Sequence, residues 1–90
     1  MNELNTEEYI KDIVSGLCQF PDEVVVEKTT DDKGTLLTID CASQDRGIVI
    51  GKGGATISSL RQIMHIIGYN VRERISVKLA FDNYAPRETE

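Results

Sequence analysis

Ile50-Gly51-Lys52-Gly53-Gly54-Ala55-Thr56-Ile57 lies between a short apolar run, Ile48-Val49-Ile50, and a long helical pattern that begins near Ala55. Glycine is the residue for backbone that must take positive φ or come close to a ligand. A helix starting directly after such a loop turns its unpaired N–H groups towards it. Those donors and the positive end of the helix dipole favour an anion. The stretch therefore reads first as a phosphate loop, and its neighbours have to say whose phosphate it holds.

Outward from the loop, charge is unevenly spread. The 90-residue chain has a net charge of −5, which argues against a nucleic-acid partner until its distribution is considered. Residues 1–42 carry ten acids and three bases, and residues 81–90 add −2. Residues 43–80 carry Arg46, Lys52, Arg61, Arg72, Arg74 and Lys78 against Asp45 and Glu73, a balance of +4. The loop thus sits in the one basic third of an acidic chain, a local field that attracts phosphate while the rest limits non-specific binding.

On the N-terminal side, Asn5 and Glu8 have the spacing of a helix cap and its partner. Tyr9, Ile10, Ile13, Val14 and Leu17 then recur at helical spacing, which predicts an amphipathic helix of about three turns ended by Phe20-Pro21. Val24 to Thr29 and Thr35 to Cys41 read as strands joined at the turn cluster Asp31–Gly34, an antiparallel hairpin with Leu37, Ile39 and Cys41 on its buried face. Ser43 is placed to cap a short helix from Gln44 to about Ile50, and Gly51 to end it in a left-handed conformation. Beyond the loop, Ile57, Leu60, Met64 and Ile67 form one helical stripe widened by Ile63 and Ile66, with Gly68 as its stop. Tyr69 to Arg74 is a polar connection. Ile75, Val77, Leu79 and Phe81 alternate with polar or small residues as a third strand. Residues 1–82 read as one domain and 83–90 as a disordered tail.

The order α-β-β-α-α-β decides between phosphate loops. The P-loop spacing G-x-x-x-x-G-K-[ST] is one residue short here, and glycine stands where the magnesium-binding hydroxyl belongs. The dinucleotide motif G-x-G-x-x-G fails at Thr56, and no βαβ array surrounds the loop. The third pattern fits. The octapeptide resembles the KH signature I-G-x-x-G-x-x-I, and Leu60 follows where a leucine is usual. The element order resembles the bacterial type II KH arrangement from Leu4 to Phe81, and the size is similar to that of the small stand-alone KH proteins of the KhpA type. Members of that family often carry a basic residue just after the loop, where this chain has Ala55 and Thr56.

The resemblance implies an α+β fold with a three-stranded mixed sheet and three helices packed on one face. It implies binding of single-stranded RNA with little sequence selectivity, in the manner of an RNA chaperone or a ribosome-related accessory factor. Carried over by position, Gly51 and Gly54 let the backbone turn, and Lys52 and Gly53 meet consecutive phosphates. Bases would lie over Ile50, Ile57, Leu60 and the second strand, with Leu37 and Ile39 as its lining. Arg46 and Arg61 are the next cations in reach. The alternative is a KH-like interaction module that acts through a homodimer or a second KH-domain protein. A plain helix-turn-helix connection with Ile50, Ile57 and Leu60 in the core is the blander reading of the same residues.

Other classes find little support. His65 has no partner for a catalytic set, and no metal-ligand cluster or cofactor motif is present, so no enzyme and no cofactor are expected. Cys18 and Cys41 lack CxxC spacing and read as thiols in a reducing cytoplasm. Met1 to Asn5 has no basic region followed by an apolar stretch, and no segment is long and apolar enough for a membrane, so a cytoplasmic protein is expected.

Overall fold

The computed structural model describes residues 5–81. The expected tail, 83–90, lies outside the described residues. Helix α1 spans Thr6–Leu17, strand β1 Val25–Asp31, β2 Gly34–Asp40, helix α2 Arg46–Ile50, α3 Ala55–Val71 and strand β3 Ile75–Leu79. Single 3₁₀ turns at Pro21–Glu23, Ser43–Asp45 and Lys52–Gly54 join them. The sheet order is β1-β2-β3, with β1 antiparallel and β3 parallel to β2. Parallel neighbours need a long crossover, and residues 41–74, with both later helices, provide it. The expected α+β fold with a mixed three-stranded sheet is the observed one.

Alternation along β2 puts Thr35, Leu37, Ile39 and Cys41 on the covered face, and along β3 it puts Ile75, Val77 and Leu79 there. Ile10 and Val14 of α1, Val49 of α2, and Ile57, Leu60 and Met64 of α3 close the core over them. Strand β1 departs from the expected half-buried pattern. Six of its seven residues are exposed and only Val26 is half-buried, although α1 packs beside this edge strand. The helices are also only partly roofed. Tyr9, Ile13 and Leu17 share the expected apolar face of α1 but remain 37–42% exposed.

Several element ends differ from the sequence expectation. Asn5 is at the start of α1, but its backbone carbonyl, not its side chain, takes the first N–H groups, from Glu8 and Tyr9. Ser43 does not cap either; its hydroxyl donates to Gln44 Oε1. The hairpin turn narrows to Asp32-Lys33, with Asp31 Oδ1 accepting from the Lys33 amide at 2.8 Å. Gly68 does not stop α3. The helix continues to Val71, and Arg72 takes the left-handed conformation, φ 61° and ψ 40°. The amides of Arg72 and Glu73 donate back to the carbonyls of Tyr69 and Gly68, a Schellman closure. Gly68 serves this closure from inside the helix. A Cβ there would lie 2.6 Å from the Glu73 carbonyl oxygen.

Asp45 has a role not read from the sequence. It is 2% exposed, and its two carboxylate oxygens accept from the amides of Gln19 and Phe20 at 2.9 and 3.0 Å. The carboxylate thereby ties the exit of α1 to the entry of α2.

Candidate nucleic-acid interface

Helix α2 closes with the Gly51 amide donating to the Gly47 carbonyl at 2.8 Å. Gly51 then takes φ 82° and ψ 166°, positive in φ as expected but extended rather than left-handed helical. A Cβ here would lie 2.5 Å from the Thr56 amide nitrogen, so the start of α3 packs directly on this glycine. Gly53 (φ 62°, ψ 19°) and Gly54 (φ 82°, ψ 14°) are both left-handed, which turns the chain from one helix into the next.

The turn uses the Gly54 amide, which donates to Gly51, and the Ala55 amide, which donates to Lys52. Among the described residues, no hydrogen bond engages the amides of Lys52 and Gly53, and both residues are exposed. Helix α3 starts without a side-chain cap and without an acid in its first turn. Amides without such a partner, an uncapped helix start and the exposed Lys52 side chain thus lie within a few residues of one another, a combination that suits an anion.

The other expected site residues divide into two groups. Ile50 is half-buried beside the loop, and Ile57 is 5% exposed beneath it. Arg46 is at the far end of α2, its guanidinium 5.0 Å from the centroid of the Phe81 ring. Arg61 lies about two turns down α3, and its Nε donates to the Val77 carbonyl at 3.0 Å. The structure corrects the expected groove lining. Leu37 and Ile39 are both 0% exposed, because the face on which they alternate is the one the helices cover, so no base can touch them.

The open groups beside α3 belong to β3 instead. The Thr35 amide donates to the Arg74 carbonyl, and the Ala80 amide to the Ile39 carbonyl. In a parallel ladder both main-chain groups of a residue point the same way. The even-numbered residues therefore face β2, and the backbone groups of Ile75, Val77 and Leu79 face outward. Arg61 reaches across to this free edge. Sequence reasoning could find it only by fixing the sheet order, which makes β3 an edge strand.

The chemistry elsewhere is quiet. Cys18 and Cys41 are free thiols. Burial, with the negative charges near it, pushes the Cys41 thiol up to about 11, and burial and Asp45 raise that of Cys18, so both stay protonated near neutral pH. Among the described residues, no group of three or more His, Cys, Asp or Glu could hold a metal, and no helix is long and apolar enough to cross a membrane.

Two abutting helices joined by a glycine loop, backed by a mixed α-β-β-α-α-β sheet, define a KH domain. Residues 7–79 match the family model described as KhpA/KhpB, KH domain, and the chain belongs to that family. Its similarity to the RNA-binding protein KhpA of Clostridium acetobutylicum is 29% identity over 70 residues, covering 78% of this chain and 93% of the relative. Against the RNA-binding protein KhpA of Mycobacterium tuberculosis it is 34% over 59 residues, covering 66% and 74%. The same-named protein of Listeria monocytogenes is 27% identical over 73 residues, covering 81% and 96%. The family is one of KH domains, not of enzymes.

Proposed function

We propose that this chain binds single-stranded RNA with its phosphate backbone on Gly51–Gly54 and its bases towards α3 and the free edge of β3. One observation carries the reading: the open amides of Lys52 and Gly53 stand with the Lys52 ammonium at an uncapped, acid-free helix start. The names of its relatives support RNA as the ligand. The element order and the parallel β2–β3 pair support the type II KH arrangement within this reading. Contacts to phosphate position a strand without reading its sequence, which suits a weakly selective RNA chaperone or ribosome-related accessory factor acting in the cytoplasm. With about three phosphates engaged, affinity is micromolar and the log–log salt slope near −2.

Replacing Lys52 and Gly53 together by Asp tests this. Gly53 has open space around it and Asp tolerates left-handed backbone, so the far-UV circular dichroism spectrum should be retained. RNA binding in a fluorescence-anisotropy titration should be abolished. Unchanged affinity in that folded double mutant overturns the mechanism.

A second reading has its own observation. Tyr9, Ile13, Ile63 and Ile66 are exposed, and a cleft of about 420 Å³ opens between α1 and α3 beside Tyr9, Ile13 and Ile67. Such a face suits a second copy of the chain or another KH-domain protein. It lies on the opposite flank of α3 from Arg61, so pairing and RNA binding are compatible.

A further inference from the structure

We propose that the polar flank of α3 guides single-stranded RNA beyond the loop to a second contact at the far end of the helix, where Tyr69 stacks on a base and Arg72 and Arg74 meet phosphate. The inference rests on the RNA reading of the loop and extends it. Ser58, Arg61, His65, Tyr69 and Arg72 recur at intervals of three and four, so they line one side of the helix. All five are exposed, and none is acidic. The bond from Arg61 to Val77 places this flank beside the β3 edge, away from the apolar flank that faces α1. The track starts at the glycine loop and ends about 25 Å away, from 17 residues at a rise of 1.5 Å.

At that end a broad cleft of about 790 Å³ is lined by His65, Tyr69, Asn70, Arg72, Glu73 and Arg74. Tyr69 is 84% exposed, the highest value among the exposed large hydrophobic residues. An aromatic ring held on a rigid helix and open to solvent is a stacking platform for a base. Charge is the smaller contribution here. Two guanidinium groups face one carboxylate, Glu73, and the negative end of the helix dipole, which leaves a modest positive balance. Stacking therefore holds the strand, and the arginines orient its backbone.

Arg72 adds a separate indication. It is the one described non-glycine residue with positive φ, at a helix end where glycine would sit without strain. Retaining a long cationic side chain in that conformation is the kind of local strain that accompanies function.

The test compares oligouridine of 4 and 12 nucleotides on the full chain, by amide-resolved NMR titration and fluorescence anisotropy. The loop alone clamps about four nucleotides. With the tetramer, shifts should stay near residues 50–58; with the 12-mer they should extend to 65–74. Tyr69→Ala should weaken the 12-mer by about tenfold and leave the tetramer unchanged. Arg72→Gly combined with Arg74→Ala should reduce the salt slope for the 12-mer by about 1.4, at 0.7 per phosphate. Shifts confined to the loop with the 12-mer, or a Tyr69→Ala effect equal at both lengths, overturn the second contact while leaving the loop reading intact. Absence of binding to either length by the wild type overturns both.

Discussion

A methyl group added at Gly51 would sit 2.5 Å from the Thr56 amide nitrogen and 2.7 Å from its Cβ, whereas one added at Gly53 meets nothing within 4 Å. Gly53 is left-handed, whereas Gly51 joins positive φ to an extended ψ of 166°, a region essentially reserved for glycine, so the two alanine variants differ in conformational as well as steric demand. Gly53→Ala carries only the left-handed penalty, about 1 kcal/mol. Gly51→Ala adds a backbone clash, and about 3 kcal/mol in total is expected. Urea denaturation of the two variants measures the difference, and equal losses would show that packing against Thr56 does not fix the loop. The glycine octapeptide was legible because its residue types announce an unusual backbone. Leu37 and Ile39 were misplaced because alternation groups residues by face without saying what covers that face. Their side chains proved to be core, and the groups left open beside α3 are main-chain atoms of β3, which no side-chain pattern records.

Between elements, the strongest local tie is one the sequence pass treated as a stray acid. Asp45 binds the amides of Gln19 and Phe20, which follow α1, while standing at the start of α2. Removing its carboxylate leaves two part-buried amides without their acceptor. Asp45→Ala should therefore lower stability by about 2–3 kcal/mol, and Asp45→Asn, which keeps one acceptor, by less. Thermal denaturation of both variants checks this; equal melting temperatures for Ala and wild type would remove the tie from the account. Element order and type were readable from periodicity. Some element ends were not, because backbone and packing partners decided them: Asp45 takes the amides that follow α1 from 25–26 residues away, and α3 runs on to a backbone closure at Arg72 and Glu73. Ser43 gave way to Asp45 as the organising residue before α2. Gly68, read as a stop, lies inside α3 because the returning chain at Glu73 and Ile75 needs the space of its missing side chain.

Over the whole molecule, α3 separates two surfaces. One flank carries Arg61, His65, Tyr69 and Arg72; the other exposes Ile63 and Ile66 beside Tyr9 and Ile13 of α1. If the apolar side pairs two copies, light scattering after size-exclusion chromatography should give twice the 10.0 kDa chain mass, and Ile66→Glu should return it to one. A wild-type monomer at micromolar concentration would count against pairing and leave the RNA reading in place. The −5 net charge first argued against nucleic acid, and only its segregation along the chain reversed that reading. The crossover has a thermodynamic consequence. Every group proposed to hold phosphate lies in residues 41–74 or on β3, so it is positioned only once β3 has docked beside β2. An isolated glycine loop has neither the packed helix start nor the strand edge, and the unfolded chain offers RNA no such site. The ligand then acts as a stabiliser of the native state by mass action, contributing about 2.7 kcal/mol at one hundred times its Kd.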